Sequence, residues 1–158
     1  MRIIGIDPGT GILGFGVIEK KSSRLNMVDA GVIRTSANET DSKRLKIIYD
    51  ELSEIIKQNS PDVMAVEKLF FAQNVTTAMT VSQARGAVLL AGEQHGLEIF
   101  EYTPLQIKQS ITSYGRADKR QVQEMVKTIL RLDSIPRPDD CADALACAVT
   151  HAFTSNLA

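Results

Sequence analysis

Three stretches of alternating or continuous apolar residues open the chain, over 2–7, 14–19 and 25–35. They are rich in β-branched side chains, which favour strands. The connection Pro8-Gly9-Thr10-Gly11 contains residue types that favour tight turns. Because the connections are short, we expect these three strands to be antiparallel neighbours.

The hydrophobic period changes after residue 35. Apolar residues recur at intervals of three and four between Leu45 and Ile56, which predicts a helix that stops at Ser60-Pro61. Residues 63–67 predict a buried strand, and a long helix follows over about 75–94, closed by Gly96. Its apolar residues cover more than one face. One face can meet the sheet, while the other is either buried in the same subunit or meets a second copy of the chain.

The last third of the chain predicts one strand, over 98–102, and three helices. Thr103-Pro104-Leu105-Gln106 and Asp118-Lys119-Arg120-Gln121 are typical capping boxes, and the final helix is expected to begin near Pro138. The order βββαβαβααα predicts an α/β fold with a mixed five-stranded sheet and helices on both faces. With neither repeat nor linker, residues 1–158 are expected to form one domain.

Composition narrows the class of protein. The chain has 158 residues, of which 44% are hydrophobic and 23% charged, as in an ordinary globular protein. No apolar run approaches the roughly 20 residues of a membrane helix, and the start of the chain does not resemble a secretory signal. Cys141 and Cys147 are expected to be free thiols, which favours a cytoplasmic protein.

Charge is unevenly distributed along the chain. The formal net charge is −1, yet residues 104–137 hold seven basic and three acidic residues, a net charge of +4. Such a segment is either a phosphate-binding face or a solvated helix surface, and charge alone does not decide between them.

Two carboxylates end predicted strands. Asp7 precedes the glycine-containing turn, and Glu67 closes the buried fourth strand. Ordinary structural roles exist for both: Asp7 could accept hydrogen bonds from its own turn, and Glu67 could pair with Lys68. An unpaired buried charge is costly, however, so a carboxylate that ends a buried strand needs compensation.

Three further acids open the last helix. Asp139 or Asp140 could cap it, whereas Asp143 is harder to explain as a cap. The pairs Asp140–Asp143 and Asp139–Asp143 both share a helix face, and spacing does not choose between them. Together with the strand-end acids, such a pair would supply four hard oxygen donors for Mg²⁺ or Mn²⁺. Two ions in one site can support phosphoryl displacement. We expect His151, on roughly the same helix face, to be packed rather than a ligand.

Several blocks of the sequence resemble one family, the RuvC family of Holliday junction resolvases. They occur in the family's order and span nearly the whole chain. The blocks are Ile4-Gly5-Ile6-Asp7-Pro8-Gly9-Thr10, Gly14-Phe15-Gly16-Val17-Ile18, Ala65-Val66-Glu67-Lys68-Leu69-Phe70, Gln83-Ala84-Arg85-Gly86, Gln106-Ile107-Lys108-Gln109, Asp118-Lys119-Arg120-Gln121-Val122-Gln123 and Asp140-Cys141-Ala142-Asp143-Ala144-Leu145-Ala146.

The resemblance implies an RNase H-like fold, a homodimer and a Mg²⁺-dependent endonuclease acting on four-way DNA junctions. Two ions per site are implied, and Mn²⁺ can substitute. The implied metal ligands and catalytic acids are Asp7, Glu67, Asp140 and Asp143. This selects Asp140 over Asp139, whose role stays open with helix capping as the default. A branch-migration complex of RuvA and RuvB is implied as a partner.

The resemblance also implies DNA contacts. Lys108 and Lys119 match the family's basic site residues, with Lys119 also counted among the catalytic residues, and Phe70 matches its stacking aromatic. Without the resemblance, the lysines would be ordinary exposed side chains and Phe70 a core residue under its loop. Arg85 is a candidate DNA contact that could instead pair with an internal carboxylate.

The hypothesis for the chemistry follows from these assignments. Asp7 bridges two Mg²⁺ ions, one of which Glu67 also holds, and Asp140 and Asp143 complete the shells. Metal-bound water attacks the scissile phosphorus, which leaves 5′-phosphate and 3′-hydroxyl ends. Lys119 offsets charge that develops in the transition state. Two sites in a dimer would make paired symmetric nicks, as recombination and DNA repair require.

Three rival functions fit part of the pattern. The block Asp7-Pro8-Gly9-Thr10-Gly11 is also similar to the phosphate loop of actin-like and sugar-kinase ATPases, but those need two such domains. A junction-binding module without activity would gain nothing from four acids that face phosphates. A related nuclease acting on ribosomal RNA precursors is the nearest enzymatic rival.

Overall fold

The structure is a computed structural model that describes residues 1–68 and 75–155, with the backbone alone for 75–77. Its elements are β1 (Arg2–Asp7), β2 (Ile12–Lys21), β3 (Arg24–Arg34), α1 (Asp41–Asn59), β4 (Val63–Glu67), α2 (Val75–Gln94), β5 (Glu98–Tyr102), α3 (Pro104–Thr112), α4 (Lys119–Leu130) and α5 (Asp139–Thr154).

The strands form one mixed sheet in the order β3-β2-β1-β4-β5. Strands β1, β2 and β3 are antiparallel neighbours, whereas β4 runs parallel to both β1 and β5. Ile6 pairs with Val66, so the next residue of each strand, Asp7 and Glu67, stands at the same edge. The predicted mixed five-stranded sheet is therefore confirmed.

Helices cover both faces of this sheet, as predicted. Helices α1 and α2 pack on the face that carries Ile4, Ile6 and Met64. Helices α3, α4 and α5 pack on the opposite face, against Ile3 and Ala65. Each face thus has its own hydrophobic layer, and the charged strand ends lie at the rim between them.

Element ends differ from the sequence expectation where the outer residues are polar. Strand β2 spans ten residues, because its ladder with β3 continues to Lys21↔Arg24 beyond the apolar run. Helix α1 begins at Asp41, and its first turn is polar and exposed, so hydrophobic spacing could not reveal it. Both predicted capping boxes are present, with Thr103 and Asp118 each accepting from the backbone three residues on. Gly96 has the predicted positive φ, +70°.

Two glycines let α5 lie directly on the sheet backbone. A Cβ at Gly5 would be 2.1 Å from the Ala144 carbonyl oxygen, and a Cβ at Gly14 would be 2.0 Å from the Asp140 carbonyl oxygen. Neither backbone contact could yield, so both positions exclude a side chain. This close approach sets the start of α5 beside the end of β1, which brings Asp140 to the edge where Asp7 lies.

The two cysteines are unpaired and buried, as expected. In the described residues, no helix is long and apolar enough to cross a bilayer.

Candidate active site

Asp7 and Glu67 form the buried part of the site at the carboxyl ends of β1 and β4. Burial, followed by the charges of Glu67, Asp143 and Asp140, raises the pKa of Asp7 to about 8. Burial and then the charge of Asp143 raise the pKa of Glu67 to about 7, although Lys119 and Lys108 oppose the shift. Lys68, the partner expected if Glu67 were only structural, is not among the cations that act on it. The site therefore holds more negative charge than its cations neutralise.

Helix α5 brings Asp140 and Asp143 to the same place. The charges of both raise the pKa of Asp7, whereas Asp139 is not among the groups that act on Asp7 or on Glu67. Burial also raises the pKa of Asp143 itself, against the hydrogen bond from Lys119. Of the three α5 acids, Asp140 and Asp143 are thus the ones whose charges act on Asp7, and Asp143 is the one whose charge acts on Glu67.

Lys119 reaches into this group of acids from the start of α4. Its ammonium nitrogen lies 2.9 Å from Asp143 Oδ2 and 3.6 Å from Asp139 Oδ2. Burial by itself would lower the pKa of Lys119, but its hydrogen bond with Asp143 and the charges of the three α5 acids outweigh this and raise it. Lys119 is therefore held as a cation.

A cavity of about 250 Å³ opens beside these groups. Its polar wall contains Glu67, Asp143, Lys108 and Lys119, while its apolar wall comes from α3, α4 and α5. Helix α3 carries Lys108, and the capping box at Thr103 sets the start of that helix directly after β5. Two basic and two acidic side chains thus share one opening that can admit a phosphate.

Asp139 does not cap α5, so the default assigned to it is wrong. Pro138 occupies the N-cap position and makes no side-chain cap bond, which places Asp139 inside the first turn. There its carboxylate lies 3.6 Å from Lys119 Nζ and also pairs with Arg137. Burial would raise the pKa of Asp139, but Lys119 and other partners lower it overall. Sequence reasoning missed the role of Arg137, for which its position two residues before Asp139 was the available signal.

The remaining candidates lie elsewhere. Arg85 forms an ion pair with Glu101 of β5, which is the internal-carboxylate alternative left open for it. Within the part of the chain that the structure describes, its Nε is buried without a hydrogen-bond partner. Phe70 lies outside the described residues. His151 is 4% exposed, and its Nδ1 lies 2.8 Å from the Tyr102 hydroxyl, so it is packed as expected.

The acids fit divalent cations by donor type and by charge. All four donors are carboxylates, the hard ligands that Mg²⁺ and Mn²⁺ prefer. Burial and then the charges of neighbouring acids raise the pKa values of Asp7 and Glu67, and a bound cation would favour their ionised forms. As the side chains stand, no three His, Cys, Asp or Glu residues in the described ranges converge closely enough to hold an ion. One acid, Asp143, is already engaged with Lys119.

Comparison with known proteins places the chain close to one family of nucleases, in sequence and in fold. Residues 3–151 match the family model described as crossover junction endodeoxyribonuclease RuvC. A protein of that name from Desulfitobacterium hafniense is 55% identical over 157 residues, covering 99% of this chain and 95% of the relative. The structure of Thermus thermophilus RuvC in complex with a Holliday junction substrate superposes with a TM-score of 0.95 at 38% identity, covering 99% of this chain and 96% of that one.

A more distant neighbour bears on the fold alone. The yeast mitochondrial Holliday junction resolvase superposes with a TM-score of 0.68 at 14% identity, covering 94% of this chain and 76% of that one. The RNase H-like fold expected from the sequence is thereby confirmed.

Proposed function

The chain belongs to the RuvC family, whose members are crossover junction endodeoxyribonucleases that hydrolyse phosphodiester bonds, and we propose that it resolves four-way (Holliday) DNA junctions. It does so by paired symmetric nicks that leave 5′-phosphate and 3′-hydroxyl ends. The nuclease family match favours this activity over the ATPase and binding-module alternatives. Residues 1–158 act as one nuclease domain.

One observation carries the proposal most directly. Carboxylates from two strand ends and one helix act electrostatically on one another, and two of them, Glu67 and Asp143, line a cavity together with Lys119. Such a group of acids would lower the DNA affinity of a protein that only bound DNA, because carboxylates repel phosphates. A metal-dependent nuclease uses such acids to hold its divalent ions.

The chain's own residues then have separate tasks. Asp7, Glu67, Asp140 and Asp143 would hold divalent metal, Mg²⁺ or Mn²⁺ with two ions per site, which supplies an activated water and neutralises charge on the scissile phosphate. Lys119, whose side chain is 54% exposed, can turn from Asp143 to a phosphate oxygen and offset charge there. Lys108, on the same cavity wall, contacts a neighbouring phosphate.

Other proposed contacts lie further from the acids. Phe70 stacks on a base at the junction, where one aromatic contact contributes about 1–3 kcal/mol. Arg85 reaches DNA only by leaving Glu101, so its first role is to join α2 to β5.

Helix α2 carries the proposed homodimer contact. Met79 and Leu90 are exposed by 64% and 52%, and their spacing of eleven positions places both on one helix face. Gly86 lies on that face too, and a Cβ there would meet nothing within 4 Å. Two exposed apolar side chains with an open position between them suit an isologous contact between two copies, and such a dimer offers two sites to one junction.

The cellular setting is proposed from the same family membership. The protein acts in recombination and DNA repair, with a RuvA–RuvB branch-migration complex as partner and the cytoplasm as location. Its free buried thiols are consistent with a reducing compartment.

A cleavage assay tests the function. Purified protein is incubated with a labelled four-way junction whose crossover can migrate, and with a linear duplex of the same sequence, each with Mg²⁺ or EDTA. Paired nicks in the junction alone, and only with metal, are expected. Junction binding without nicks in any migrated sequence would overturn the assignment.

A further inference from the structure

The turn that follows Asp7 is held by hydrogen bonds from a residue outside the turn and not by its own side chains. It spans residues 8–11, between β1 and β2. A Cβ at Gly9 would lie 2.0 Å from the Ile12 carbonyl oxygen, so the chain reverses here without room for a side chain. Thr10 is only 8% exposed, yet its hydroxyl has no hydrogen-bond partner among residues 1–68 and 75–155. The side chain best placed to brace the turn therefore does not do so.

The brace comes from Thr35, directly after β3. Its backbone N–H donates to the Gly11 carbonyl at 3.0 Å, and its hydroxyl donates to the Thr10 carbonyl. Two consecutive carbonyls of the turn are thus bound by one residue from another strand.

Arg44 completes the arrangement from the first turn of α1. Its Nε donates to the Thr35 hydroxyl at 2.9 Å, so that hydroxyl both accepts and donates. A hydroxyl held on both sides has a fixed orientation, and each bond polarises the other. The Arg44 side chain is 15% exposed, and its Nη2 would lie 3.6 Å from a Cβ at Gly11. Its only ion pair in the described residues is the long one to Asp41, 4.0 Å.

We propose that Arg44 and Thr35 are positioning residues for the phosphodiester cleavage assigned above: they hold the turn at residues 8–11 and thereby fix Asp7 against its neighbouring acids. Asp7 is the last residue of β1, so its main chain is held by the ladder on one side and by this turn on the other. In its ionised form Asp7 is repelled by the like charges of Glu67, Asp140 and Asp143, so its position depends on these main-chain restraints. A displacement of about 1 Å in such a group costs on the order of 100-fold in rate.

The inference rests on the proposed function, and its tests have a readout besides cleavage. Thr35→Val keeps the side-chain volume and removes the hydroxyl, whereas Thr35→Ser keeps the hydroxyl. Thr128→Val is the control, because that hydroxyl also donates to a carbonyl, at 2.9 Å, but in the outer part of α4. Arg44→Met removes the other end of the network and keeps much of the stem.

For each variant we would measure three quantities: Mg²⁺ binding by calorimetry without DNA, the cleavage rate at saturating junction, and the melting temperature. Thr35→Val and Arg44→Met are expected to weaken Mg²⁺ binding about 5-fold or more and to slow cleavage about 10-fold or more. Junction affinity in EDTA should stay within about 2-fold of wild type. Thr35→Ser should restore both metal binding and rate, and Thr128→Val should leave both unchanged.

Other outcomes would contradict these assignments. If both variants melt at a lower temperature but bind Mg²⁺ and cleave like wild type while folded, the network is only a structural brace and the inference is wrong. If Thr35→Ser behaves like Thr35→Val, the hydroxyl is not the group responsible. A wild-type protein that binds Mg²⁺ but cleaves no junction would count against the proposed function, while the metal-binding comparison would still test the network.

Discussion

The ammonium of Lys119 lies 2.9 Å from the carboxylate of Asp143, in hydrogen-bonding contact with an acid that the site would use to hold metal. Asp139, 3.6 Å from the same nitrogen, gives the ammonium a second partner outside the group of four acids. Lys119 can therefore release Asp143 without leaving the site. In the proposed function the lysine would thus balance the charge of these acids and donate to a phosphate oxygen of the DNA.

Replacing Asp7 should separate binding from chemistry. Asp7→Asn keeps the shape of the side chain and removes its charge, so the variant should bind junction DNA and lose cleavage by about 100-fold or more. The measurement is nicking of a labelled junction beside a gel-shift titration. Asp50→Asn, an exposed α1 acid paired with Lys46, is the control and should cleave normally. Wild-type nicking by Asp7→Asn would contradict the role of Asp7 as a ligand.

Stability without metal should fall as the pH rises. The folded protein holds Asp7 and Glu67 with pKa values of about 8 and about 7, above their ordinary values of 3.8 and 4.5. Between about pH 4 and pH 8 the unfolded chain has therefore released protons that the folded chain keeps, and the free energy of unfolding decreases with pH.

Denaturant unfolding in EDTA at pH 5 and pH 8 measures this slope. Asp7→Asn should flatten it and should be more stable than wild type at pH 8, because the substitution removes a buried charge. Adding Mg²⁺ at pH 8 should stabilise the wild type most, since ligands must lose their protons to bind metal. A wild-type stability that rises from pH 5 to pH 8 in EDTA would contradict the raised pKa values.

Lys119 should matter through its charge and its position. Lys119→Met removes the cation that lowers the pKa values of Asp7 and Glu67, so cleavage should drop about 10-fold to 100-fold and need a higher pH. The measurement is the cleavage rate at saturating junction across pH 6–9. Arg120→Met is the matched control, because Arg120 is the next residue of α4 and lines a different groove. Equal losses in both variants would indicate a general effect of charge.

Removing the aromatic ring at position 70 should affect turnover more than binding. In Phe70→Ala the stacking contact on a junction base is lost. Binding changes less, because most of the affinity comes from the many contacts to phosphates, which the substitution leaves in place. We expect cleavage about 10-fold slower or more, with affinity reduced about 3-fold or less. Phe153→Ala, which alters a 37% exposed aromatic near the end of α5, serves as control. Unchanged junction turnover would remove the stacking role.

The face of α2 that carries Met79 and Leu90 should hold the dimer together. Leu90→Glu places a charge on that face and should convert the dimer to a monomer at micromolar concentration, measured by sedimentation. Junction nicking would then lose its symmetry. Met27→Glu on strand β3 changes a residue of similar exposure and should leave the assembly intact. A wild-type protein that sediments as a monomer would contradict the interface outright.

Local patterns in the sequence were enough for most of the fold. Strands β1, β4 and β5 fall at the predicted residues, because short apolar runs between polar turns have few alternatives. The capping boxes at Thr103 and Asp118 also follow from local spacing, since each closes within one helical turn. Asp7 and Glu67 could likewise be singled out, because each ends a predicted strand, whereas only the resemblance to a known family named Asp140 beside Asp143.

The tertiary structure decided what those residues do to one another. Spacing in the sequence left Asp139 and Asp140 as alternatives, and only the packing of α5 on Gly5 and Gly14 shows that Asp140 is the one whose charge acts on Asp7. The sequence also could not show that Asp139 pairs with Lys119, or that Thr35 and Arg44 brace the turn after Asp7. Helical and strand periods are set by neighbours a few residues apart. The hydrogen bonds of Thr35 with Arg44 and with Thr10, by contrast, join residues 9 and 25 positions apart, and only the packing of α1 and the strands brings these residues together.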